Sequence, residues 1–132
     1  MKETNPNVRV VGVEPDQIPR YYESRKAGKP VEVELKDTVA DGLMITTTGT
    51  NTYPIIEEYV DEVIAVPDEA IVKALNAVIY KGKVVIEPSA AIGVAAVLCG
   101  KLKVRPDEKV CFVLTGGNID PAKLVELTET NT

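Results

Sequence analysis

Apolar positions along this chain fall into short runs, separated by breaks rich in proline, glycine and threonine. Val8-Arg9-Val10-Val11-Gly12-Val13 has the β-branched content of a strand that ends at Glu14-Pro15, where proline limits further extension. Residues 18–27 predict a short helix with Gly28 as its C-terminal cap. Residues 31–38 alternate apolar with charged side chains, as in an exposed strand or an extended loop, and 46–52 is a threonine- and glycine-rich loop. A short helix is expected over 54–60 and a strand over 62–66. Pro67-Asp68-Glu69 opens the clearest helix, running to about residue 80, with proline and two acids suited to the positive end of its dipole. Ile71, Leu75, Val78 and Ile79 recur at three- and four-residue spacing, which gives one apolar stripe for core packing.

Further on, Val84-Val85-Ile86 leads into Glu87-Pro88-Ser89, and residues 90–98 predict a helix closed by Gly100. Ser89 is placed to cap that helix. Ala90, Ala91, Gly93, Ala95 and Ala96 imply close backbone approach to a neighbouring element. After a turn at Arg105-Pro106-Asp107-Glu108, the run Val110-Cys111-Phe112-Val113-Leu114 is unbroken, which predicts a strand buried on both faces of a parallel sheet. It leads straight into Thr115-Gly116-Gly117-Asn118, at the strand end where such sheets place ligands, and Asp120-Pro121 then opens a last helix. Strands alternating with helices define an α/β fold: three layers, a mainly parallel sheet flanked by helices. No linker or composition shift divides residues 1–132, so one domain is expected.

Composition changes this picture mainly by exclusion. The chain has 132 residues, 45% hydrophobic and 27% charged, with no tryptophan and a net charge of −5. Its densest basic cluster is Arg25-Lys26 with Lys29, which argues against nucleic acid and anionic membranes as partners. The N-terminus is polar and no apolar stretch approaches a membrane span, so a cytoplasmic protein is expected. Histidine is absent, which removes the commonest general base and zinc ligand. Cys99 and Cys111 have no metal or redox spacing and read as small buried hydrophobes.

The chemistry candidates are therefore few. Glu87 follows three β-branched residues, and a carboxyl in such a setting marks a site or a structural hydrogen bond. Glu14 ends a strand in the same manner. Asp41-Gly42 forms a turn, and the Thr115 hydroxyl can donate to or accept from a ligand ring atom. Neither Gly-x-Gly-x-x-Gly nor Gly-x-x-x-x-Gly-Lys-Ser/Thr occurs, so dinucleotide and P-loop sites lack support.

Several segments, in order and spacing, resemble one family. They are Asn5-Pro6-Asn7-Val8 with Val11-Gly12-Val13-Glu14-Pro15, Lys26-Ala27-Gly28-Lys29-Pro30, Thr38-Val39-Ala40-Asp41-Gly42, Pro54-Ile55-Ile56-Glu57-Glu58-Tyr59-Val60-Asp61, Val85-Ile86-Glu87-Pro88-Ser89 and Leu114-Thr115-Gly116-Gly117-Asn118-Ile119-Asp120. Together they resemble the C-terminal part of the catalytic region of threonine dehydratase and serine racemase, which are fold-type II pyridoxal-phosphate enzymes.

The resemblance implies that Thr115 meets the pyridine nitrogen of pyridoxal phosphate, where serine is the usual occupant. It likewise places Gly42 against the cofactor ring and Glu87 on its flank, with Gly116, Gly117 and Asn118 completing that end of the pocket. Glu14 matches the first carboxylate of a divalent-metal site found in some members. The second ligand there is a backbone carbonyl, which falls on Ile18, and the third is an acid, whose place is taken by Arg20.

The implied activity is that of an ammonia-lyase of amino-acid metabolism, isoleucine biosynthesis included, converting threonine to 2-oxobutanoate and ammonia or serine to pyruvate. The Schiff-base lysine in a Ser-x-Lys context and the phosphate-binding tetraglycine loop are not found in the chain. No catalytic residue is therefore assigned, and the chain is expected to be inactive alone. Its beginning corresponds to a point inside the catalytic domain, and with nothing after Thr132 no feedback domain is expected. Uncovered apolar surface would then call for an N-terminal-half chain or a homo-oligomer. The alternative is a non-catalytic α/β binding or interaction module derived from such an enzyme.

Overall fold

A computed structural model describes residues 1–129; the expectation tied to Thr132 lies outside the described residues. The elements, in order, are β1 (Val11–Pro15), α1 (Arg20–Ala27), α2 (Thr52–Tyr59), β2 (Glu62–Val66), α3 (Asp68–Ala77), α4 (Pro88–Leu98) and α5 (Pro121–Glu129). A short 3₁₀ turn, Asp41–Leu43, lies between α1 and α2, and α3 runs on into a π-helical turn, Val78–Gly82. β1 and β2 pair in parallel, from Val11 opposite Glu62 to Pro15 opposite Val66, so the α/β class and the parallel pairing are as expected. Among the described residues the sheet has two strands.

Local chemistry explains most boundaries. Gly28 adopts φ +68° as the C-cap of α1, and its N–H and that of Lys29 close onto the carbonyls of Arg25 and Ser24. Arg25 ties the two early helices together: it pairs with Glu57 at 2.7 Å and donates to the carbonyls of Ile56 and Val60 at the end of α2. Asp120 caps α5 by accepting from the N–H groups of Ala122 and Lys123. Residues 31–38 form no strand beyond an isolated bridge between Glu32 and Thr47.

The core lies where α3 packs on α4 and both meet the sheet. Ile71, Ala74 and Leu75 of α3 and Ala91, Ala95 and Ala96 of α4 are fully buried, beside Ile64 and Val66 of β2. Small side chains on α4 let the α3 backbone come close. Asn76 donates to the Leu127 carbonyl and so attaches α5, whose Leu127 joins the core.

Three expectations are corrected. The run Val110-Cys111-Phe112-Val113-Leu114 is exposed and forms no strand; Val113 is 71% exposed. A strand exists only through its ladder, and no described segment pairs with this run, so its β-branched content has nothing to pack between. Cys99 and Cys111 are exposed, not buried: Cys99 is the last-turn cap of α4, and Cys111 belongs to the unpaired run. Ser89 does not cap α4 with its hydroxyl, which instead accepts the N–H of Gly42 at 3.1 Å.

Asp68, the first residue of α3, fixes the segment leading to the 3₁₀ turn. Its carboxylate accepts the Thr38 hydroxyl at 2.6 Å and the Val39 N–H at 2.9 Å. Asp68→Ala leaves both donors unmet and removes a charge from the helix N-terminus, at a cost of about 1–3 kcal/mol. Urea denaturation should show it, with Asp68→Asn recovering part of the loss; a midpoint unchanged in Asp68→Ala would refute the assignment.

Candidate functional site

Two crossings bring the candidate residues together. In the first, residues 85–87 run against 116–118. The Glu87 N–H donates to the Gly116 carbonyl at 3.1 Å, and the Glu87 carboxylate accepts the Asn118 N–H at 3.1 Å. The glycines are required by this approach: a Cβ on Gly116 would stand 3.0 Å from the Glu87 carboxylate, and one on Gly117 would stand 2.8 Å from the Val85 carbonyl oxygen. In the second crossing the 3₁₀ turn reaches the start of α4. Gly42 donates its N–H to Asp41 Oδ1 and Ser89 Oγ, and a Cβ there would lie 2.9 Å from the Ser89 hydroxyl and 3.7 Å from Glu87 Oε1. Gly42, Glu87, Gly116, Gly117 and Asn118, far apart in sequence, thus meet around one half-buried carboxylate.

Thr115 stands just beyond this cluster. It lines an open cavity of about 750 Å³ together with Ser89, Ala90, Gly93, Val11, Val13 and Phe112. Lys103 and Lys109 also border that cavity. Asn118 faces a smaller cavity of about 360 Å³ with Asp41, Asp68, Asp120 and Lys123. The candidate residues therefore share a neighbourhood but not a single cavity. Sequence reasoning missed Ser89 and Asp41 as partners of Gly42; their adjacency to Glu87 and Gly42 in the chain was the available signal.

Glu14 lies apart from this group. It is 4% exposed, and its oxygens accept the N–H groups of Tyr22 at 2.7 Å and Tyr21 at 3.1 Å in the first turn of α1. Burial pushes its carboxyl above the usual range, and these two N–H groups and the Arg20 charge pull the other way. Among the described residues no group of three or more acidic or cysteine side chains could hold a metal ion. No helix among them is long and apolar enough to cross a membrane.

The chain is a parallel α/β fold in which a glycine turn, after an exposed apolar run, crosses the Glu87 segment, whose carboxylate is held by the Asn118 N–H. The family described as pyridoxal-phosphate dependent enzyme matches residues 1–116. The chain belongs to that family. It is 42% identical over 120 residues to an L-threonine ammonia-lyase of Thermotoga maritima, covering 91% of this chain and 29% of the relative. A serine racemase of Oryza sativa subsp. indica is 36% identical over 129 residues, covering 95% and 38%. The solved structure of the processed form of threonine deaminase isoform 2 from Solanum lycopersicum superposes with a TM-score of 0.88 at 30% identity, covering 98% of this chain and 38% of that one. The chain thus spans less than two fifths of the length of these relatives.

Of the residues the resemblance names, Thr115 lines the larger cavity and Asn118 the smaller one, while the space beside Gly42, Gly116 and Gly117 is taken by Ser89, Glu87 and the Val85 carbonyl.

Proposed function

We propose that this chain supplies the ring-binding end of the active site of a pyridoxal-phosphate-dependent threonine or serine ammonia-lyase, in a cytoplasmic enzyme of amino-acid metabolism. The observation that carries the reading is the convergence of Gly42, Glu87, Gly116, Gly117 and Asn118, contributed by three separate segments, beside Thr115. Pyridoxal phosphate, when bound, supplies an electron sink for carbanion chemistry at the amino-acid substrate. Thr115 offers the ring nitrogen a neutral hydroxyl, which leaves the ring a weaker sink than an aspartate partner would. Glu87, fixed by the Asn118 N–H, would flank the ring, and the glycines let the Glu87 segment approach the turn that follows Thr115.

The lysine and the phosphate cradle of the site come, in this reading, from a polypeptide carrying the remaining part of the catalytic region. The chain alone, mixed with pyridoxal phosphate and threonine or serine, is expected to give neither the visible absorbance of lysine-bound cofactor nor an oxo acid. Adding the complementary polypeptide should produce both, and Thr115→Ala should then lower turnover about 10- to 100-fold as the ring loses its hydrogen bond. Turnover by the chain alone, abolished in Lys103→Ala or Lys109→Ala, would overturn the assignment of the lysine elsewhere. An inactive mixture would leave the non-catalytic module as the function.

A further inference from the structure

The places that a divalent metal would need in this chain are already filled from within. The Glu14 oxygens are taken by the N–H groups of Tyr21 and Tyr22, and the Ile18 carbonyl accepts the N–H of Arg20 at 2.9 Å. The position where an acidic ligand would stand is Arg20 itself, a cation. Its guanidinium crosses from the start of α1 to the loop after the 3₁₀ turn, where Nη1 donates to the carbonyls of Leu43 at 3.1 Å and Ile45 at 3.2 Å. The ring of Tyr21 lies 5.2 Å from the guanidinium carbon and supports it as a cation–π partner. Carbonyl oxygens converging on a positive charge beside a buried carboxylate are what a bound cation would create. Here the charge is covalently part of the chain.

We infer that Arg20 is a built-in cation that replaces a metal ion and clamps the Leu43 and Ile45 carbonyls to the start of α1, making the fold independent of divalent metal. The clamp begins one residue after Gly42, whose N–H is held by Ser89. Arg20 is thus a positioning residue for Gly42. Both carbonyls are met by the two N–H bonds of Nη1 alone.

The relevance to the cofactor rests on the function proposed above, but the clamp does not, and its test is independent of turnover. Amide hydrogen exchange on the full chain should be about tenfold faster at Leu43–Ile45 in Arg20→Gln than in the wild type, the loss expected for a local pair of hydrogen bonds. Exchange at Ile71 and Leu75 in the core should not change, and Arg20→Lys should recover part of the protection. Thermal melting of the wild type should be the same with EDTA as with millimolar magnesium or calcium. Unaltered exchange at residues 43–45 in Arg20→Gln overturns the clamp. A melting point of the wild type raised by either metal overturns the replacement. Should the glutamine variant not fold, the lysine variant and the metal titration decide the matter by the same criteria.

Discussion

Leu75→Ala should unfold the chain at a much lower temperature than the wild type, at a cost of about 3–5 kcal/mol. Leu75 is fully buried on α3 beside Ile71 and Ala74, and α4 presents Ala91, Ala95 and Ala96 to the same interface. Alanines have no rotamers with which to fill a void, so the cavity should persist, which puts the cost in the upper part of the range for leucine truncation. Total stabilities of small domains are about 5–15 kcal/mol, and a two-stranded sheet adds little independent support. Circular dichroism melting tests this, with Leu75→Met, which conserves volume, as the comparison. A shift under about 2 °C, less than 1 kcal/mol for a domain of this size, would mean that the α3–α4 interface is not the centre of the core.

That interface was legible in the sequence because helix periodicity is a local property. Ile71 and Leu75 declare a face of α3 without reference to any other segment, and Pro67-Asp68-Glu69 declares its start. Gly28 and Asp120-Pro121 are equally local, since a cap needs only its own helix. The run from Val110 to Leu114 is the opposite case. Its composition states what the segment would do inside a sheet, but the ladder that makes it a strand has to come from another segment, and none of the described ones supplies it. The cysteines follow the same logic, because Cys111 can be buried only if its run is.

The candidate site was legible as residue types and not as contacts. Glu87, Gly42 and the Thr115-Gly116-Gly117-Asn118 turn could be named from their neighbours in the chain. That Glu87 receives the Asn118 N–H, 31 residues away, and that Gly42 is held by Ser89, 47 residues away, depends on how the loops cross. Arg20 shows the limit most clearly. From sequence it is only a basic residue where an acid would be expected, and its bonds to Leu43 and Ile45 give that substitution a physical use.

Gly117→Ala should damage both the fold and the site through the first of those crossings. The backbone of Gly117 is not in the left-handed region, so the glycine is there for space and not for its conformational freedom. A methyl group would stand 2.8 Å from the Val85 carbonyl oxygen and 3.7 Å from the Ile86 Cα, both backbone atoms with no rotamer to swing aside. The two segments must separate, and the Glu87–Gly116 and Asn118–Glu87 hydrogen bonds go with them. Overpacking of this kind costs about 1–3 kcal/mol, and the lost bond to a carboxylate adds to it. Gly116→Ala should be milder, because the atom it meets at 3.0 Å belongs to the Glu87 side chain, which can rotate. Gly82→Ala is the control: its Cβ meets only a Val78 methyl at 3.8 Å, so its stability should stay within about 0.5 kcal/mol of the wild type. Melting temperature and amide exchange at Asn118 measure the series. If Gly117→Ala melts with Gly82→Ala and keeps the Asn118 amide protected, the close crossing that assembles the site is not there.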